Sequence, residues 1–151
     1  IIRENFDFYE PKTVHESSLS PCVHVILAAK IKRLDKALEL YLRTSRLDLD
    51  DYNHEADEGL HITSMAGTWM SVVEGLAGVR IYENSLAIDP QIPQSWKSYS
   101  FQIRYRNQPL AVAITSHKVK ITNLGSALIS CDVAGAKITI EAGATHESAL
   151  K

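Results

Sequence analysis

Apolar positions recur every three or four residues in the first part of the chain and every second residue in the rest, with the change near residue 78. In the first part, Ser20-Pro21 reads as an N-cap followed by proline at the first helical position. The run from Pro21 to Lys30 is apolar nearly all round, which predicts a helix buried on most sides. Leu34, Ala37, Leu38, Tyr41 and Leu42 predict a second helix over roughly residues 33–46. Met65, Trp69, Val72 and Val73 predict a third, over 62–76, and Gly75 and Gly78 supply its stop. The stretch between Leu47 and Gly59 is acidic, with Asp48, Asp50, Asp51, Glu55, Asp57 and Glu58, and reads as a solvated loop.

Beyond residue 78, Tyr99, Phe101, Ile103 and Tyr105 alternate with Ser98, Ser100, Gln102 and Arg104. Leu110, Val112 and Ile114 continue the alternation, then Val119 and Ile121, then Ile138 and Ile140. Turn signals at 106–109, 116–117, 123–125 and Gly135 separate them, which predicts several short antiparallel strands in a β-sandwich. The proline-rich stretch Asp89-Pro90-Gln91-Ile92-Pro93 reads as the link between the halves. The fold class expected is therefore α+β, with residues 1–78 helical and 79–151 a β-sheet domain. Three helices, one of them apolar almost all round, do not close a core alone, and they read as the end of a larger helical array. The first residue is Ile1, so the chain is expected to be part of a longer gene product.

Composition narrows the function classes. At 45% hydrophobic and 23% charged, the chain can bury a core and is not disordered by composition. A formal charge of -2 with interspersed signs argues against nucleic-acid and membrane partners. The longest apolar run, Cys22 to Ala29, is too short to span a bilayer. Cys22 and Cys131 read as buried thiols in a reducing, cytoplasmic compartment. No spacing of a metal site, a P-loop or a nucleophile elbow is present, and His54-Glu55 does not complete a zinc motif.

Two polar clusters stand directly ahead of predicted helices. One runs from Thr13 to Ser20 and contains His15, Ser17 and Ser18. The other runs from Glu58 to Ser64 and contains His61 and Thr63. Free backbone N–H groups, hydroxyls and imidazoles at a helix start suit an anion. Helix capping by Ser18 or Ser20 and a structural His61 explain the same letters equally well. His24, on an apolar helix, reads as a core histidine, and His117 and His146 carry no evident role.

Longer blocks change this balance. Asn5 to Pro11, Thr13 to Pro21, Tyr41 to Asn53 and Glu58 to Trp69 resemble glycoside hydrolase family 65 and occur in its order. That family contains maltose, trehalose and kojibiose phosphorylases. The resemblance implies the last helices of an (α/α)6 catalytic barrel followed by the C-terminal β domain. It implies that Ser17, Ser18 and His61 help hold inorganic phosphate, and His15 is added for its proximity. No cofactor and no metal are implied, since phosphate is a substrate. The expected partners are a disaccharide, phosphate and the rest of the parent polypeptide, and the resemblance suggests a homodimer. The family's general acid, a glutamate, lies upstream of these blocks, as does the loop that selects the sugar, so this stretch is expected not to catalyse alone.

A phosphorylase needs no base for its nucleophile. Inverting glycoside cleavage requires an acid at the leaving oxygen and a nucleophile on the opposite face. A hydrolase activates water there with a carboxylate, whereas phosphate is already anionic and a carboxylate would repel it. Two alternatives stand beside this reading. One is a hydrolase of the same family, with Glu58 as base. The other is a non-catalytic sugar-binding module in the β half, presenting Tyr82, Trp96 and Tyr99.

Overall fold

The computed structural model describes residues 1–150 except 53, 56 and 58. Two compact units divide the chain, Ile1–Leu76 and Ala77–Lys151.

The first unit is helical. α1 (Ile2–Tyr9) runs into a 3-10 turn at Glu10–Lys12. α2 is Ser20–Lys30, α3 is Leu34–Ser45, α4 is the single turn Leu47–Asp50, and α5 is Ile62–Met70, which widens into a π-helical turn at Ser71–Leu76. Two of these, α1 and α4, go beyond the three helices expected from periodicity. α1 is short and buries only Phe6. It is tied down by polar contacts: Arg3 donates to the carbonyl of Ile31 at 2.8 Å, and Arg33 pairs with Asp7.

Helix α2 is less enclosed than its composition suggests. Pro21, Cys22, Val25, Ala28 and Ala29 are buried, all on one stripe, while Val23 on the other side is exposed. In α3 the buried line is Ala37, Leu40 and Thr44, and Leu42 is exposed. Small residues let these helices approach closely. A Cβ placed on Gly67 of α5 would lie 2.9 Å from Cys22 Cβ and 3.3 Å from Thr44 Cγ2. The buried face of α5 is therefore Ser64 and Gly67, and the larger Met65 and Trp69 are exposed. Ser64 locks the helix in place by donating to the Thr44 carbonyl at 2.8 Å.

The second unit holds two four-stranded sheets. The first contains β1 (Arg80–Tyr82), β2 (Ser85–Ile88), β6 (Ile129–Val133) and β7 (Ala136–Ile140), in that order. The second contains β3 (Ser98–Tyr105), β4 (Gln108–Thr115), β5 (Lys118–Asn123) and β8 (Thr145–Ala149). Neighbours are antiparallel except β2 and β6, which run parallel. Leu86, Ile88, Ile129, Cys131 and Val133 from one sheet share a core with Tyr105, Leu110, Val112, Ile114, Val119 and Ile121 from the other. The α+β class and the mainly antiparallel sandwich thus agree with the sequence reading.

Three hairpins close with two residues of positive φ each: Glu83-Asn84, Arg106-Asn107 and Ala134-Gly135. Such turns match the right-handed twist of the flanking strands. The proline-rich stretch 89–93 follows β2, so it crosses from β2 to β3 inside this unit rather than joining the two units. It is fastened by Tyr99, whose hydroxyl donates to the Gln91 carbonyl at 2.7 Å, with Trp96 edge-on to the Tyr99 ring. Burial pushes the Tyr99 phenol up. That leaves Tyr99 and Trp96 engaged in holding the crossing rather than forming an open aromatic platform. Burial also raises both thiols, Cys131 to about 11.

Candidate functional site

Both polar clusters lie in the helical unit, and the structure joins them. The Ser18 and Thr63 hydroxyls are hydrogen-bonded at 2.8 Å. This bond spans the start of α2 and the start of α5, which are held together below by the close approach at Gly67. Ser17 is exposed, and its Oγ accepts from the Leu19 backbone N–H at 3.2 Å. That bond uses an oxygen lone pair and leaves the Ser17 hydroxyl proton for another acceptor. One proton of the Ser18–Thr63 pair is likewise uncommitted to that bond. Neither residue directly ahead of these helices, Leu19 before α2 or His61 before α5, caps its helix with its own side chain. The Ser18 and Ser20 hydroxyls, for which capping was the plain explanation, are engaged with Thr63 and His15.

His15 lies apart from this hydroxyl pair. It is buried, at 9% exposure, with a left-handed backbone at φ 57. Its Nδ1 and Ser20 Oγ are 2.9 Å apart, and its carbonyl accepts from Arg43 Nη2 at 2.8 Å. Its ring stands edge-on to His24 at 4.6 Å. Nε2 is buried without a hydrogen-bond partner, 3.6 Å from Glu10 Oε1. Burial, helped by the neighbouring His24, depresses the His15 pKa, with Glu10 opposing. The imidazole is thus a neutral internal brace for the loop that carries Ser17 and Ser18.

His61 is treated in the opposite way. The Asp48 carboxylate receives two bonds from it, Nδ1–H to Oδ1 at 2.6 Å and the backbone N–H to Oδ2 at 3.0 Å. On the other edge of the ring, Nε2 faces Glu55 Oε2 at 3.4 Å. The hydrogen bond to Asp48, with both carboxylates' charge, raises the His61 pKa, and the same bond lowers that of Asp48. His61 is therefore held toward the imidazolium form, a charged donor at the start of α5. Among the described residues, no group of three or more His, Cys, Asp or Glu side chains is disposed to hold a metal ion.

Sequence reasoning placed Thr63 in the second cluster but missed Asp48 and Glu55. A carboxylate 13 positions from its histidine leaves no periodic trace, and the acidic stretch read as solvated. The one available signal was that Asp48 lies inside the block from Tyr41 to Asn53. Glu58, the base of the hydrolase alternative, lies outside the described residues.

Residues 1–70 match the family model described as "Glycosyl hydrolase family 65 central catalytic domain". Residues 79–140 match the one described as "Glycosyl hydrolase family 65, C-terminal domain". The chain belongs to glycoside hydrolase family 65. It is similar to the maltose phosphorylase of Bacillus subtilis, 57% identical over 117 residues, which cover 78% of this chain and 16% of that protein. It is also similar to the α,α-trehalose phosphorylase of Thermoanaerobacter brockii, 42% identical over 142 residues, covering 94% of this chain and 18% of the relative. Among solved structures it resembles one described as "Putative kojibiose phosphorylase from human microbiome", with a TM-score of 0.91 and 37% identity, covering 99% of this chain and 22% of that one. The chain thus spans less than a quarter of the length of the relatives it matches.

Proposed function

We propose that this chain is part of an inverting phosphorylase that cleaves an α-linked glucoside with inorganic phosphate, giving β-glucose 1-phosphate and a free sugar. Residues 1–78 form the last helices of its (α/α)6 barrel and 79–151 its C-terminal β domain. Ser17, Ser18 and His61 form part of the phosphate seat, and His15 braces the serine loop. The observation that carries this reading is the Ser18–Thr63 bond, which sets the hydroxyl-bearing start of α2 beside the start of α5, where the Asp48 carboxylate raises the His61 pKa.

The chemistry fits an anionic nucleophile. In inversion the nucleophile attacks the anomeric carbon opposite the leaving oxygen, and an acid protonates that oxygen. Phosphate arrives with its charge and requires donors to hold it in line, not a base. Hydroxyl protons and an imidazolium are such donors. The acid belongs to the part of the parent polypeptide that precedes this chain. Maltose is the disaccharide to assay first, since the relative at 57% identity is named a maltose phosphorylase.

The test is His61→Ala in the full-length enzyme. Loss of one charge-assisted hydrogen bond is expected to raise the phosphate KM roughly 10- to 100-fold, with little change in the disaccharide KM. An unchanged phosphate KM with weakened disaccharide binding overturns the assignment. Glucose release without phosphate points instead to hydrolysis.

A further inference from the structure

The single turn α4 is a firmly built element for its length. Leu47 is buried beneath it. Arg46 Nε and Nη2 donate to the two oxygens of Asp50 at 2.7 and 2.6 Å, tying its ends together. Asp51, in the left-handed region at φ 47, stops it. From this turn Asp48 delivers both carboxylate oxygens to one residue, His61, taking the backbone N–H and the ring Nδ1–H. The first bond fixes the main chain where α5 begins. The second fixes the rotation of the imidazole, and because an ionised carboxylate only accepts, it keeps a proton on Nδ1. A second proton on the ring must then sit on Nε2, on the edge away from Asp48.

We propose that Asp48 is a positioning residue for His61, fixing the ring so that its Nε2 edge is turned away from α4, to the side where Glu55 stands and where an anion would take that carboxylate's place. This inference rests on the phosphate reading above. Asp48 contacts no substrate in this scheme and acts through the ring it holds. Among the described residues, the ionisable groups that face His61 are Asp48 from α4 and Glu55 from the segment between α4 and α5. They play different parts. Asp48 grips the ring and the backbone at hydrogen-bond distance, while Glu55 stands 3.4 Å from Nε2, where an arriving anion would compete with it.

The roles separate on mutation. In the full-length enzyme, Asp48→Asn frees the ring and removes the charge that favours its protonation. The phosphate KM is expected to rise about tenfold or more, the worth of a charge-assisted bond, while the disaccharide KM stays in place. The alkaline limb of kcat/KM for phosphate is expected to move to lower pH, because His61 loses its proton sooner. Phosphate's own ionisation is common to both enzymes and cancels. Asp48→Glu, which keeps the charge, should recover part of the loss. Glu55→Gln should lower the phosphate KM by removing the competing carboxylate. An unshifted alkaline limb in Asp48→Asn leaves Asp48 a purely structural cap and overturns the proposal. A rise in phosphate KM for Glu55→Gln equal to that of Asp48→Asn overturns it too, since general charge would then suffice. If His61→Ala raises the phosphate KM but Asp48→Asn does not, the seat stands and only the positioning role falls. If His61→Ala has no effect on phosphate, the seat itself fails.

Discussion

Ahead of α2 the His15 imidazole is buried and its pKa depressed, while ahead of α5 the His61 imidazole sits between two carboxylates with its pKa raised. In sequence the two segments look alike, each a histidine among hydroxyls before a helix. The difference lies in what the fold supplies around them. His15 receives burial, a second imidazole and a guanidinium, which outweigh the opposing Glu10 carboxylate 3.6 Å from its Nε2. His61 receives Asp48 at 2.6 Å. Charge follows the surroundings rather than the residue type, so one segment can brace a loop and the other can offer a cation.

The contrast is useful only while the two segments stay together, and Gly67 is where it breaks most severely. A side chain there meets Cys22 of α2 and Thr44 of α3 at contact distances. Gly67→Leu is expected to cost about 3 kcal/mol, at the upper end of overpacking effects, because helix backbones rather than side-chain tips must move. Thermal unfolding of the helical unit reads this directly. The chain has two tryptophans, Trp69 and Trp96, so a Trp96→Phe background leaves Trp69 as its reporter. A loss below about 1 kcal/mol, within the range of a tolerated core change, would show that α2 and α5 are not braced at this crossing.

How much of this was legible in the letters depends on whether the cause was local. Period-two alternation in β3, β4 and β5 is a local property, and the core-facing Leu110, Val112, Ile114, Val119 and Ile121 follow it. β8 has no such alternation: Thr-His-Glu-Ser-Ala forms a strand because β5 offers it an edge. The β1–β2 hairpin turns on Glu83-Asn84, a weaker turn signal than the Asn-Gly type. On α5, the large apolar Met65 and Trp69 are exposed, because close helix contact selects small residues such as Ser64 and Gly67. The serines and His61 could be singled out from family blocks. Their partners Thr63 and Asp48 are tertiary facts, 45 and 13 positions away, and no spacing rule reaches them.

His15 sharpens the contrast through pH. His15→Ala loses the contact with Ser20, the ring packing on His24 and a residue type tolerant of left-handed φ. The expected loss is about 2 kcal/mol at neutral pH. A depressed folded pKa means the unfolded chain binds the proton first, so wild-type stability falls as pH drops below the ordinary histidine value. The groups facing His15 are His24, Glu10 and Arg43. His15→Ala should flatten that acid-side decline. His61, whose folded pKa is raised, has the reverse sign: its contribution is full below the ordinary value and is lost as pH rises through the raised one. Chemical denaturation at several pH values distinguishes them, and an undiminished acid-side slope in His15→Ala would contradict the buried-neutral assignment.

The smallest effect tests the bond that joins the two segments. The Ser18–Thr63 hydrogen bond is solvent-exposed and joins two neutral hydroxyls, so water replaces it at little cost. A double-mutant cycle of Ser18→Ala and Thr63→Ala should give a coupling of about 0.5 kcal/mol in stability. The same cycle on the phosphate KM should couple more strongly, because there the bond fixes which hydroxyl proton remains for the anion. Equal coupling in both measurements would mean the bond only fastens the helices. Zero coupling in stability with strong coupling in KM would mean that its value lies in orienting the donor, which is what a seat for an anionic nucleophile requires of it.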